Sequence, residues 1–89
     1  MEGEKISTKS GFKCVIDTEV LDDWEVFEYF REIDRGKTSA IVDVAPRFLG
    51  EKQYEALKKH VRDENGKIRL SRMISEINEI MMLLKASKN

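Results

Sequence analysis

Three features of this chain have residue types that could support chemistry, and each lacks a partner that the chemistry requires. The stretch "VRDENGKIRLSR", residues 61–72, carries Asp63, Asn65 and Gly66 in the order of a calcium-binding loop. With Gly66 at that loop's sixth position, Asp63 and Asn65 fall at ligand positions three and five, and Ile68 at the apolar eighth. Positions one and twelve are then Val61 and Arg72, where the loop needs an Asp and a bidentate Glu. A cation replaces the closing carboxylate, so the stretch reads as an Asn-Gly turn between two helices. Cys14 and His60 are the only residues of their kinds. One of each makes no zinc site without carboxylates, and no flanking signature marks them as a nucleophile and its base. Cys14 is expected as a small apolar strand residue and His60 as a solvated helix residue. The clustered acids have no cleft motif around them, and there is no Gly-rich phosphate loop. The residues therefore predict no catalytic group, no metal and no cofactor.

What remains unusual is apolar. "DDWEVFEYF", residues 22–30, places a Trp, two Phe and a Tyr within nine residues. At about 100° per residue, Val26, Tyr29, Phe30 and Ile33 share about 100° of arc, a normal core stripe. Phe27 widens that arc to about 160°, and Trp24 lies about 60° further round. Those two exceed what one core needs. Near the other end, Leu70, Met73, Ile74, Ile77, Ile80, Met81 and Leu84 fit one helical face, but Met82 and Leu83 point elsewhere. Trp24, Phe27, Met82 and Leu83 are the expected contact residues, with a partner or between copies, and methionine suits a surface that accepts varied shapes. The expected core comprises Val26, Tyr29, Phe30, Ile33, Tyr54, Leu57, Val61, Ile74, Ile77, Met81 and Leu84.

The elements that must position these residues follow from local signals. "KISTKSGFKCVID" predicts an extended element over residues 5–17, with strand segments 5–7 and 12–16 around a Thr8–Gly11 turn. Such a ribbon is marginal alone and must lie on helices or pair with another chain. Asp22 or Asp23 is a good N-cap for a helix over 22–34 that stops at Asp34-Arg35-Gly36. Pro46 predicts either a kink in a short helix over 39–49 or a helix starting near Ala45, closed by Gly50. A helix over 51–63 carries Tyr54, Leu57 and Val61. The last helix, capped by Ser71, spans 71–85, and 86–89 form a frayed tail. The fold class is mostly α: a single small domain of three to four helices with a short N-terminal β-hairpin or ribbon.

The 89 residues, 40% hydrophobic and 37% charged, suit one charge-rich globular domain and not a disordered chain, because the apolar positions recur at helical spacing. One cysteine excludes an internal disulfide, and the polar start has no apolar signal region. The longest apolar run, "IMMLL", is far short of the ~20 residues that span a bilayer. A cytoplasmic protein with no membrane role is expected. Residues 17–34 hold eight acids against Arg31 alone, whereas cations dominate from residue 47 to 72. Solvated helix faces account for this; so would copies attracted head to tail. Lys58, Lys59, Arg62, Lys67, Arg69 and Arg72 leave room for a small regulatory DNA-binding or antitoxin-like dimer, although a pI of about 5.9 argues against nucleic acid as a partner.

Taken together, the extended start, "DDWEVFEYFREID.G", "P.FLGEKQYEALKKHVRDENGKI" and "ISEINEIMMLL" resemble the tail assembly chaperones of long-tailed, siphovirus-like bacteriophages. The similarity is closest to the small chaperones of phages or prophages of Gram-positive hosts and covers about residues 10–84. It implies no enzyme. It implies a homo-oligomeric, mostly helical protein that binds the tape measure protein and keeps it soluble until the tail tube polymerises around it. The chaperone would act in the cytoplasm of the bacterial host and be absent from the mature virion, and a longer frameshifted form of the chain accompanies it in many relatives. "SAIVDVAPRF" departs from the family, which is richer in Leu there, as does the Lys-rich tail.

Overall fold

Alternation along the first seventeen residues builds the β element. In the computed structural model, which describes residues 3–87, strands β1 (Gly3–Ser7) and β2 (Lys13–Asp17) form an antiparallel hairpin with Ile6 opposite Cys14 and Glu4 opposite Ile16. Ile6, Cys14 and Ile16 face inward with Phe12 and are buried, while Lys5, Ser7, Lys13 and Val15 face out. The turn closes through the Gly11 N–H to the Thr8 carbonyl, 3.0 Å, and the Thr8 N–H to the Phe12 carbonyl, 2.9 Å. A bare hairpin would leave β2 with an open edge. Here the side chain of Gln53 acts as a substitute strand: its Oε1 accepts from the Val15 N–H at 2.7 Å and its Nε2 donates to the Val15 carbonyl at 2.8 Å.

A 3-10 turn (Thr18–Asp22), which the pattern did not predict, leads into helix α1 (Trp24–Asp34). Asp23 caps that helix, its Oδ1 accepting from the Glu25 and Val26 N–H groups at 2.9 and 3.2 Å. At the other end Gly36, at φ 92°, lets its N–H reach the Ile33 carbonyl and the Lys37 N–H reach the Glu32 carbonyl, the pairing of a Schellman cap. Helix α2 (Ala40–Leu49) decides between the two alternatives: it is the short helix expected over 39–49, running through Pro46, and not one that starts near Ala45. Helix α3 (Glu51–Val61) stops two residues before its expected end, where Arg62 turns extended at ψ 128°. Helix α4 (Leu70–Ser87) begins one residue early, so Ser71 lies inside its first turn, and Ala86 and Ser87 are helical, not frayed. Residues 88–89 of the expected tail lie outside the described residues.

The architecture is mostly α, four helices with an N-terminal hairpin, built around one cluster of buried side chains to which every strand and α-helix contributes. Of the expected core, Val26, Phe30, Leu57, Val61, Ile77, Met81 and Leu84 are buried in it. Tyr29, Ile33, Tyr54 and Ile74 are half-buried against its margin. Ile41, Val44, Phe48 and Leu49 of α2 and the inward hairpin residues belong to the core as well. Leu70, expected on the core face of the last helix, is 69% exposed.

Helices α2 and α3 meet at Gly50 alone, with φ 80° and ψ 154°, a backbone region that is essentially restricted to glycine. A Cβ at Gly50 would meet no atom within 4 Å, so the effect of a side chain there is conformational and not a clash. Gly50→Ala is expected to keep native helicity while lowering the free energy of unfolding by about 1–3 kcal/mol, read by urea denaturation. An unchanged midpoint would show that the corner relaxes without strain.

Candidate interaction surface

Helix α1 presents Trp24, Phe27, Arg31 and Asp34 at three- and four-residue spacing along one side, which is how a helix aligns side chains into a stripe. Together with Glu28, Phe30 and Lys85 they line an open groove of about 390 Å³. Trp24 is 78% exposed and Phe27 60% exposed, so the two aromatics that exceed the core requirement do stand on the surface. Phe27 is tilted against Phe30 with centroids 6.2 Å apart, and Phe30 meets Phe48 edge-on at 6.4 Å. A continuous aromatic path thus runs from the groove into the core. The Lys85 ammonium lies 5.0 Å from the Phe30 ring centroid, bringing the last turns of α4 to the same place.

Met82 is 70% exposed and precedes Lys85 by three residues, which places it on the same side of α4. Leu83 is partly exposed and about 100° further round that helix. Neither lines the groove. Trp24 and Phe27 are therefore one surface, with Met82 at its border and Leu83 turned away. Val42 and Leu70 form a second exposed apolar pair, absent from the expected contacts. They line a groove of about 210 Å³ between α2, α3 and the start of α4, with Ile41, Tyr54, Met73 and Ile74 beneath. No periodicity could have revealed this pair, because its two halves come from separate elements.

The residues singled out for chemistry are occupied otherwise. Asp63 Oδ1 accepts from the N–H groups of Asn65 and Lys67 at 2.9 Å each, and Asp63 Oδ2 faces Arg69 at 3.5 Å. The Lys67 and Asn65 hydrogen bonds hold that carboxyl below its usual value. Among the described residues, no group of three or more His, Cys, Asp or Glu is arranged to hold a metal ion. His60 lies against Phe12, centroids 5.5 Å apart, and its Nε2 is 3.0 Å from Ser10 Oγ. Ser10 Oγ is in turn 3.2 Å from Thr8 Oγ1, which donates to the buried Glu76 carboxylate at 2.9 Å. Thr8 has one hydroxyl proton, given to Glu76. With all three bonds made, Ser10 donates to Thr8 and His60 Nε2–H donates to Ser10. A nucleophilic serine needs the opposite polarity, with its proton directed at the histidine. The chain instead fastens the hairpin turn to α3 and α4, aided by the Lys9 N–H to Glu79 at 2.9 Å.

In the basic region, Lys58 pairs with Glu55 at 2.9 Å, Arg69 with Asp63, and Arg62 donates to the Gly66 carbonyl at 2.8 Å. The link from α3 to α4, residues 62–69, is longer than the three- to four-residue turn of a helix-turn-helix. No described helix is long and apolar enough to cross a membrane. Compared with protein-family models, with curated proteins and with solved structures, the chain matches none.

Burial raises the Cys14 thiol to about 11 from an ordinary 9.0. A thiol with a raised folded value favours the folded state below the unfolded value and loses that contribution as pH climbs between the two. Two outcomes are expected. Native protein at pH 8 should react with a disulfide reagent only after denaturation. Unfolding midpoints should fall between pH 9 and 11, and Cys14→Val should flatten that fall.

Proposed function

We propose that this protein is a non-enzymatic assembly chaperone of a long-tailed bacteriophage, which binds the tape measure protein and holds it soluble for tail tube polymerisation. The observation that carries the reading is the pairing of a filled core with large apolar side chains kept in solvent: Trp24, Phe27, Met82 and Leu83 are exposed although the buried cluster already spans every helix. In a small, thinly stable domain such exposure is a liability unless it is used. A long helical client with an apolar face would lie against such residues by helix-in-groove recognition. The quoted motif stretches carry the phage assignment, and the same residues can serve self-association. The site of action in this reading is the host cytoplasm, with no nucleic acid or membrane partner and no place in the finished virion. A longer frameshifted form is a further partner in that setting.

Co-expression with a tape measure protein, the long helical client of this reading, tests it directly. The client should be soluble only in the presence of this chain and should co-purify with it. Trp24→Ala with Met82→Asp should retain helicity while lowering the client's soluble fraction or the size of the oligomer. A client that stays insoluble either way, with nothing co-purifying, would reject the chaperone reading. Unchanged solubility and oligomer size in the double variant would reject the surface assignment alone.

A further inference from the structure

The two exposed apolar surfaces differ in charge and lie at opposite ends of α4. The aromatic groove involves Lys85, and the α2–α4 groove involves Leu70. Fifteen residues of helix separate those positions, roughly 22 Å at 1.5 Å per residue. The aromatic groove is lined by Glu28 and Asp34 against Arg31 and Lys85, and the exposed Asp22 and Asp23 stand just before Trp24 with no cation beside them in sequence. Around the α2–α4 groove, residues 58–72 carry six Lys and Arg against two acids, and Lys67, Arg69 and Arg72 are exposed beside Leu70. The lining of the second groove is apolar apart from Thr38 and Lys58. One surface thus projects aromatic rings from an acidic helix; the other is an apolar slot with a basic border.

We propose that the α2–α4 groove receives Trp24 and Phe27 of a second copy of this chain. The proposal specifies the self-association named above and is independent of the client. Val42 and Leu70, the two exposed apolar residues of the slot, would be covered by the incoming rings. Asp22, Asp23 and Glu28 would then stand opposite Lys67 and Arg72, with Arg69 already held by Asp63. Because the two surfaces are different, the contact is heterologous: each copy joined leaves one groove free at one end and one ring pair free at the other. Such contacts add copies in succession and do not stop at a two-fold dimer. Two aromatic side chains, burying about 150–250 Å² each, make a small joint, so assembly should depend on concentration and on low salt.

The test uses purified full-length chain, without client, in sedimentation velocity from micromolar to millimolar concentration. The natural chain should form a ladder of species beyond dimer that shrinks as salt rises. Trp24→Ala/Phe27→Ala, which removes the rings, and Val42→Asp/Leu70→Asp, which spoils the slot, should each be monomeric. Mixed in equal amounts they should form a one-to-one dimer and nothing larger, since only one intact ring pair can meet one intact slot. Circular dichroism and urea midpoints verify folding, and Val42→Ser/Leu70→Ser gives the same readout if the aspartates unfold the chain. A monomeric natural chain overturns the proposal, as does a dimer that never grows or a ladder that survives either variant. A slot variant that assembles like the natural chain in sedimentation also overturns it. Because no client is present in sedimentation, failure here leaves the chaperone reading standing.

Discussion

Helix α2 must bury two sides at once, and the placement of every other element follows from that. It packs against α1, α3, α4 and strand β2, and Ala40, Ile41, Val44, Ala45, Phe48 and Leu49 are all buried within its ten residues. Pro46 deletes one backbone hydrogen bond inside that helix, at a cost of about 3 kcal/mol. Burying the four larger side chains contributes about 1.5–3 kcal/mol each, an upper range because the unfolded chain is already partly compact. The burial exceeds the proline penalty, so the helix persists through it. The single-residue corner at Gly50 then sets α3 directly against α2, which brings Gln53 to the edge of β2, where it also donates to the Leu49 carbonyl at 2.7 Å.

This balance explains what could be read in the sequence and what could not. Local devices were legible: Asp23 as a cap, Gly36 as a stop, and the alternation of Phe12, Cys14 and Ile16. Each depends on residues within one turn or strand. The central helix was legible over 39–49 but undecided against a start near Ala45, because Pro46 is a strong local boundary signal and only tertiary burial settles the continuous form. Leu70 failed for the opposite reason. Its helical phase matches Met73 and Ile77, but it starts the helix at the rim of the groove toward α2, too far out to be covered. Trp24 and Phe27 could be identified by arc alone, since a helix with more apolar arc than one contact can cover leaves the remainder outside. Val42, on a helix already in doubt, gave no comparable sign.

The exposed aromatics are not detached from the fold. Phe30 is buried and touches both Phe27 outside and Phe48 inside, so the groove's floor is part of the core. Lys85 extends over Phe30 and leaves its charge at the rim, covering apolar surface as long basic side chains do. Meanwhile Arg47 bonds Glu25 at 2.8 Å and sits 5.8 Å from the Tyr29 ring, fixing the opposite flank of α1 to α2. The ring pair is therefore held on a helix with both flanks anchored. The backbone that carries the rings is thus already ordered, and what a partner must still fix is the exposed Trp24 side chain.

Under the proposed chaperone function, that rigidity bears on how a weak single contact would serve a long client. If copies join through Trp24 and Phe27 as proposed, the joint consumes the aromatic groove and the α2–α4 slot but not Leu83, which points away from the groove. Met82 remains at the border of each joint. Each added copy then repeats the same apolar pair at a fixed interval set by α4 and the joint. An extended helical client, whose own apolar positions also repeat, meets these pairs in sequence. After the first is engaged, the rest bind at the high effective concentration that tethering provides. In the proposed chaperone role, affinity for one site can then stay low while the array as a whole keeps the client's apolar face covered.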